Sequence, residues 1–218
     1  MSDQRSPRSF PLVPIAVGMI IVLGLVAVLL SRGGDDDGSG VQAGSAATGS
    51  IRETRPVSSA GAALPPHGEG VDAAVGMPAP EMTGAAFDGA AVAISNDGTP
   101  KVLMFLAHWC PHCQKEVPVI AEWIEQNGPP EGVALVSIAT ATVAERPNYP
   151  PSAWLEREGW QPVVLADDEQ GSAATAYGLT AFPFFVAVDA QGKVVERVSG
   201  ELTVQQIEDL VARARGVG

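Results

Sequence analysis

Cysteine is scarce in this chain. Its 218 residues include only two cysteines, Cys110 and Cys113, and three histidines. A structural zinc site normally draws four ligands from two separated pairs, and no second group of cysteines or histidines follows the first. The scarcity argues against a zinc-stabilised fold and leaves all cysteine chemistry to this one pair.

Positive charge is scarce as well. Lysine and arginine number 13 against 25 aspartates and glutamates, which gives a net charge of −12 at pH 7. Nucleic-acid-binding proteins present a basic stripe to the phosphate backbone. The acidic balance argues against that class of protein and favours a soluble extracytoplasmic module.

Charged residues are missing altogether from residues 10–30. At about 1.5 Å per residue, a helix of that length spans a hydrocarbon core of about 30 Å. Arg5 and Arg8 precede the run and three aspartates follow it, so we expect residues 1–9 in the cytoplasm and the rest of the chain outside. A cleaved signal peptide is the alternative. The length of the run and the lack of a small-x-small cleavage site favour a retained, single-pass anchor in the cell membrane.

Large apolar residues are few in residues 31–75, where Gly, Ala, Ser and Pro dominate. Such a composition cannot bury a core. We therefore predict a flexible, disordered linker and expect His67 within it to be solvated. A single globular domain then occupies residues 76–218.

Short apolar runs alternate with helical periodicity in that domain. Residues 101–107, KVLMFLA, are typical of a strand buried on both faces, and residues 81–94 suggest an additional hairpin. The final helix has Thr203 as its expected N-cap. This order predicts an α/β fold with a central mixed β-sheet flanked by helices. In such sheets chemistry collects beyond the C-terminal ends of strands, which is where the cysteines lie.

The cysteine pair permits four interpretations. A structural disulfide is the first, although closing so short a loop stabilises less than closing a long one. Two inert buried thiols are the second, and they suit the cytosol better than an oxidising compartment. Half of a metal site, completed by His108 or His112, is the third. A redox-active dithiol is the fourth, and the neighbouring residues favour it.

A strand followed by a helix places Cys110 at a helix N-terminus, where free N–H groups and the helix dipole favour a thiolate. Pro111 suits the first helical position, which needs no N–H donor. Cys113 follows one turn later, close enough to form a disulfide with Cys110. One thiolate can then attack a client disulfide, and the second thiol can resolve the mixed disulfide.

His112 lies between the two cysteines. A ring that carries or donates a proton there stabilises the Cys110 thiolate, which becomes a better leaving group and makes the disulfide more oxidising. An exposed residue at a helix start, without influence on the thiol, is the alternative. We expect His108 to be a rim residue near the site.

The segment FLAHWCPHC, followed by QKEVP and later by YGLTAFPFFVAVDAQGKVV, resembles the thioredoxin superfamily. It is most similar to the membrane-tethered TlpA-like thiol-disulfide oxidoreductases, and GMPAPEMTG resembles the start of their domain. The Pro-His dipeptide is instead similar to that of DsbA-type oxidants. The resemblance covers the domain and implies a thioredoxin-like fold that needs no cofactor.

The resemblance also implies roles for residues around the pair. Cys110 becomes the attacking thiol and Cys113 the resolving thiol. Pro118 matches the proline that kinks the active-site helix, and Glu116 matches an acidic residue near the thiols. A solvated helix glutamate is an equally acceptable interpretation of Glu116.

The client groove is implied in the same way. Pro183 matches the cis-proline beside the dithiol, which leaves neighbouring backbone free to pair with an extended client strand. Trp109 and Phe182 are expected to provide apolar surface around it. Two residues depart from the pattern, because Met104 replaces the buried aspartate of thioredoxins and Ala181 replaces a common glycine.

We therefore predict a membrane-anchored, extracytoplasmic thiol-disulfide oxidoreductase that acts on protein thiols and disulfides and is recycled by a redox partner. The Pro111-His112 dipeptide favours oxidation of clients, which is the direction we predict. The alternative is reduction of a partner, such as an apocytochrome or a copper-site protein, which the resemblance to TlpA-like proteins and the membrane tether favour. A copper-binding module using Cys110 and Cys113 is the alternative from another class.

Overall fold

The structure, a computed structural model, describes residues 50–216. The predicted cytoplasmic segment 1–9, the predicted membrane helix 10–30 and the first part of the predicted linker lie outside the described residues. Between residues 50 and 216, none of the helices combines the length and the apolar character needed to cross a bilayer.

A small antiparallel sheet comes first in the described chain. It consists of β1 (Ser58–Ala60), β2 (Glu81–Ala85) and β3 (Ala91–Ile94), with β2 in the middle. In the antiparallel pairing of β2 with β3, Met82 lies opposite Ile94, and both side chains are buried. The hairpin predicted for residues 81–94 is confirmed.

A five-stranded mixed sheet forms the centre of the domain. Its strands are β4 (Lys101–Leu106), β5 (Ala134–Ala139), β6 (Val163–Ala166), β7 (Phe184–Val188) and β8 (Val194–Ser199), in the spatial order β6-β5-β4-β7-β8. The first three run parallel to one another, and β7 and β8 run antiparallel to their neighbours. Every residue of β4 is buried, as its unbroken apolar run predicts.

Four helices complete the part of the chain between residues 50 and 216. They are α1 (Pro111–Asn127), α2 (Pro151–Arg157), α3 (Ser172–Ala176) and α4 (Val204–Ala214). The N-cap of α4 is Thr203, which forms a capping box with Gln206, as expected from its position. The predicted alternation of strands and helices is confirmed from residue 101 onward.

The two faces of the central sheet have separate cores. On one face, Met104 of β4 packs with Ile120 of α1 and Ile207 of α4. On the other face, Phe105 packs with Tyr177 and with the residues of the small sheet. Because β4 is covered on both sides, its C-terminal end holds the start of α1 in a fixed position.

The structure corrects the predicted linker boundary. Residues 50–75 are not free of the domain: β1 pairs with β2, and Leu64 is buried with its N–H donated to the Ala176 carbonyl at 2.8 Å. Asp72 forms an ion pair with the buried Arg197, whose Nε lies 2.8 Å from Asp72 Oδ2. Backbone hydrogen bonds and one ion pair hold this stretch, and composition does not reveal such attachments.

His67 belongs to the same corrected stretch. It is half-buried, with Nε2 3.1 Å from the Arg197 carbonyl oxygen and its ring edge against Phe184. Burial, and then the charge of Arg197, lower the pKa of His67. The expectation of a solvated linker histidine was therefore wrong.

Candidate active site

Cys110 occupies the N-cap of α1, where the backbone turns from the end of β4 into the helix. Pro111 takes the first helical position, as predicted, and no side chain caps the helix. The Cys110 side chain is almost buried, and its Sγ lies 3.9 Å from the carbonyl oxygen of Phe182. Cys110 therefore lies at the end of α1 where the first N–H groups have no partner within the helix.

Cys113 lies one turn further along α1 and is fully buried. Both cysteines are free thiols in the structure. Burial raises the pKa of the Cys113 thiol far above its usual range, and the neighbouring Cys110 and Glu116 raise it further. Cys113 is therefore the protonated partner, and it needs a base before it can act as a nucleophile.

Glu116 lies three residues after Cys113 on the same helix and is only 2% exposed. Its Oε2 accepts a hydrogen bond from the Leu202 N–H at 3.0 Å, whereas Oε1 has no partner among the described residues. Burial raises the pKa of this carboxyl group to about 7. The interpretation as a solvated helix glutamate was wrong, and the expectation of an acidic group near the thiols agrees with this geometry.

Met104 occupies the β4 position where thioredoxins carry an aspartate. It is buried in the apolar core between the sheet and helices α1 and α4. Among residues 50–216, Glu116 is the only carboxyl group that contributes to the raised pKa of Cys113, and it does so from helix α1 instead of from the strand.

Pro183 follows a cis peptide bond from Phe182 and is buried immediately before β7. The resemblance implied this isomer, and the structure has it. The Phe182 carbonyl faces Cys110, so the cis-proline loop and the start of α1 lie side by side.

Trp109 and Phe182 form a half-buried aromatic pair next to the first cysteine. Their ring centroids are 5.9 Å apart with an edge-to-face geometry. The indole N–H of Trp109 donates to the Ala141 carbonyl at 2.7 Å, and the guanidinium of Arg146 lies over the indole ring, 4.9 Å from its centroid. The expected apolar surface is thus present, with a cation on it that the motif does not reveal.

The expectation that His108 is a rim residue was wrong, because its side chain is buried and only 1% exposed. Its Nδ1 lies 2.7 Å from the Pro147 carbonyl oxygen, and its Nε2 accepts the Val143 N–H at 3.2 Å. Burial lowers the pKa of His108, and the neutral ring with a proton on Nδ1 satisfies both contacts. His108 holds residues 141–149, which we call the 141–149 loop, against the start of α1.

Across residues 50–216, no group of three or more His, Cys, Asp or Glu side chains is placed to hold a metal ion.

The Redoxin family profile matches residues 74–211, which is more than half of the chain. The chain belongs to the redoxin family. This membership confirms the prediction of a thiol-disulfide oxidoreductase of the thioredoxin superfamily, because the curated relatives are named as such.

Two of those relatives illustrate the similarity of this redoxin to known proteins. It is 26% identical to the thiol-disulfide oxidoreductase ResA of Bacillus thuringiensis over 141 residues, covering 64% of this chain and 78% of ResA. It is also 26% identical to the thiol:disulfide interchange protein DsbE of Xylella fastidiosa over 214 residues, covering 95% of this chain and 88% of DsbE.

A solved structure shows the same fold as this redoxin. The crystal structure of a DsbF homologue from Corynebacterium diphtheriae superposes with a TM-score of 0.55 at 19% identity, covering 69% of this chain and 99% of that one. The predicted thioredoxin-like fold is confirmed.

Sequence reasoning missed two site residues of this redoxin. Glu201 lies beside the dithiol, with Oε1 2.6 Å from Nδ1 of His112 and 3.4 Å from Nζ of Lys115. Arg146 is the other. The pairing of β7 with β8 could have located Glu201, because Ser199 lies opposite Phe184 and so places the end of β8 next to the cis-proline loop.

Proposed function

We propose that this protein reduces disulfides in extracytoplasmic client proteins, with Cys110 attacking and Cys113 resolving. The observation that carries this direction is Glu116, a buried carboxyl group beside Cys113 whose pKa is raised to about 7. A resolving thiol with a raised pKa needs such a proton acceptor near neutral pH.

The reaction follows from these positions. The Cys110 thiolate attacks one sulfur of the client disulfide, forms a mixed disulfide and expels the other client sulfur as a thiolate, which takes a proton from water. Cys113 then passes its proton to the Glu116 carboxylate and attacks the Cys110 sulfur. This releases the second client thiolate and leaves a Cys110–Cys113 disulfide, so two electrons have passed to the client. A separate redox partner must return them.

Pro183 and the residues around it are the proposed client groove. The Phe182 carbonyl, beside the Cys110 sulfur, provides a backbone acceptor for an extended client segment. The aromatic surface of Trp109 and Phe182 would pack against the client side chains that flank its cysteine. These contacts would position the client sulfur for in-line attack by Cys110.

Oxidation of clients is the second candidate, and His112 favours it. This residue lies in the first turn of α1, next to the attacking cysteine, where a protonated ring favours the thiolate. The Glu201 carboxylate lies 2.6 Å from Nδ1 of His112 and opposes such an effect on Cys110, so oxidation is the second candidate.

The reduction potential of the dithiol distinguishes the two directions. Equilibration of the protein with glutathione buffers, followed by quantification of the two redox forms, should give a potential near that of thioredoxin, about −270 mV. A value near that of DsbA, about −120 mV, would reject reduction and support oxidation.

Trapping tests the assignment of the two cysteines. A full-length Cys113→Ala variant lacks the resolving thiol and should accumulate mixed disulfides between Cys110 and clients, which mass spectrometry identifies. The Cys110→Ser variant is the matched control and should trap none. Equal trapping by both variants, or none by either, would refute the assignment.

The membrane anchor and the location are part of the proposal. They rest on the uncharged run 10–30 and on the charges that flank it. Protease added to intact cells or spheroplasts should remove the domain while residues 1–9 stay protected, and alkaline extraction should leave the protein in the membrane. Release by alkaline extraction would contradict the anchor.

A further inference from the structure

The 141–149 loop is hydrogen-bonded to the two residues that precede the attacking cysteine. It joins β5 to α2, and both residues that precede Cys110 bind it. Trp109 does so through its indole N–H, and His108 does so through both ring nitrogens. The loop is thereby held next to the residue that attacks the client.

Arg146 is the exposed cation that this loop presents. Its guanidinium lies over the Trp109 ring at 4.9 Å, and within residues 50–216 it forms no ion pair. His112 and Lys115, the basic residues at the start of α1, both contact Glu201. Arg146 is therefore held at the site by a ring face and keeps its hydrogen-bond donors free for another group.

Arg146 lies on the aromatic surface next to the proposed client groove. The Trp109 ring below it also contacts Phe182, and the Phe182 carbonyl lies 3.9 Å from the Cys110 sulfur. A client segment that brings a sulfur atom to Cys110 would pass beside this surface, and the Arg146 guanidinium lies on it.

We propose that Arg146 is a specificity residue that binds a carboxylate, from Asp or Glu, close to the reactive cysteine of the client. The inference rests on the proposed exchange of disulfides with protein clients. A guanidinium that has no acidic partner among residues 50–216, and that lies over the ring of the residue before the attacking cysteine, is complementary to an acidic client segment. Neutral segments react without this contact.

Matched peptides test the proposal. Each peptide carries one cysteine blocked as a disulfide with thionitrobenzoate, and a single glutamate is moved through the three positions on either side, with glutamine in its place as the reference. Attack of the Cys110 thiolate on the peptide sulfur expels thionitrobenzoate, whose absorbance gives the second-order rate constant. The reduced full-length protein is compared with Arg146→Gln, Arg146→Lys and Lys193→Gln.

The expected result is a preference for glutamate at one or more positions, by about two- to fivefold at low ionic strength. The preference should disappear in Arg146→Gln and persist at least in part in Arg146→Lys. It should remain in Lys193→Gln, which removes the same charge from the turn at the opposite end of β7. Added salt should weaken it.

Two results would overturn the inference, and they are distinguishable. If the glutamine peptides react but glutamate brings no gain that depends on Arg146, the specificity proposal fails while the exchange activity stands. If no peptide reacts with the reduced protein and Cys110→Ser behaves like the wild type, the proposed function fails and the inference fails with it.

Discussion

The carboxylate of Glu201 lies 2.6 Å from Nδ1 of His112, the residue between the two cysteines. Glu201 follows the end of β8, so this contact joins the far edge of the sheet to the first turn of α1. The hydrogen bond from His112, helped by Lys115, lowers the pKa of Glu201. Glu201 thus places a negative charge next to the Pro111-His112 dipeptide of this active site.

Removal of that counter-charge should make the dithiol more oxidising. In Glu201→Gln, the carboxylate no longer offsets the positive charge of Lys115 near Cys110, which favours the thiolate and the reduced form. We expect the reduction potential to rise by up to about 20 mV, because both groups are largely exposed and screened by water. Equilibration with glutathione buffers measures the shift.

The His112→Asn background provides the control for this prediction. There the imidazole itself is absent, and Glu201→Gln should still raise the potential because Lys115 remains. A fall in potential in both backgrounds would show that Glu201 does not act through its charge.

Glu116 should give the protein a stability that decreases as the pH rises. Its folded pKa of about 7 lies above the ordinary value of 4.5, so the folded state retains a proton that the unfolded state has lost. Between those two values, stability is lost with rising pH, by on the order of 3 kcal/mol in total. Urea unfolding across this range should show the decrease in the wild type and not in Glu116→Gln.

The same carboxyl group should control the resolving step. Only the ionised form of Glu116 accepts the Cys113 proton. In the wild type, release of the client from its mixed disulfide with Cys110 should therefore accelerate as the pH rises through about 7. Glu116→Gln should slow this step by about a hundredfold. Glu125→Gln, an exposed position on the same helix, is the control for both measurements. Identical behaviour of the two variants would remove Glu116 from the mechanism.

His108 should stabilise the 141–149 loop only when its ring is neutral. Its pKa is lowered in the folded state, so its contribution is complete above the ordinary value of 6.5 and is lost as the pH falls below it. At pH 7.5, His108→Phe should cost about 1–3 kcal/mol through the loss of two hydrogen bonds. The difference between variant and wild type should shrink at pH 5.

Hydrogen exchange measures this effect locally. Amides of the 141–149 loop should exchange faster in His108→Phe at pH 7.5, and the exposed His112→Phe should leave them unchanged. A stability difference that does not vary with pH would contradict a role for the neutral ring.

Substitution of Gly178 by alanine should weaken the attachment of residues 50–75 to the domain. It has φ +68°, and an added Cβ would lie 2.3 Å from the Pro65 carbonyl oxygen. Gly159 has a similar φ of +67° but open space around it. Gly159→Ala should therefore cost only the backbone penalty of a positive φ, about 1–2 kcal/mol.

Gly178→Ala should cost about 1–3 kcal/mol more, since Pro65 must move away. Urea unfolding measures both variants, and limited proteolysis should show earlier cleavage within residues 61–75 of Gly178→Ala. Equal costs for the two substitutions would mean that the contact with Pro65 contributes nothing to stability.

Local patterns in the sequence were sufficient for the elements and for the centre of the site. The apolar run of β4, the helical periodicity after it and Pro111 placed Cys110 at a helix start, and the structure has it there. Each of these signals acts between residues a few positions apart. The cis-proline assignment depended on the resemblance, because an X-Pro bond in isolation favours the trans form.

The environment of the site needed the tertiary structure. Glu116 is buried because the segment after β8 covers it, and Leu202 from that segment binds its carboxylate. Residues 50–75 attach through backbone hydrogen bonds and a buried ion pair between Asp72 and Arg197, neither of which leaves a compositional trace.

The sequence by itself determined that this protein has two cysteines at the start of a helix, within an α/β fold that has a mixed β-sheet. Short-range periodicity and spacing specify those features. Only the tertiary structure decided what surrounds the dithiol: Glu201 against His112, Glu116 beside Cys113, and Arg146 over Trp109. These partners come from separate elements, and the register of β8 against β7 and the anchoring of the 141–149 loop bring them together. Charge, burial and proton transfer at the thiols depend on those long-range contacts.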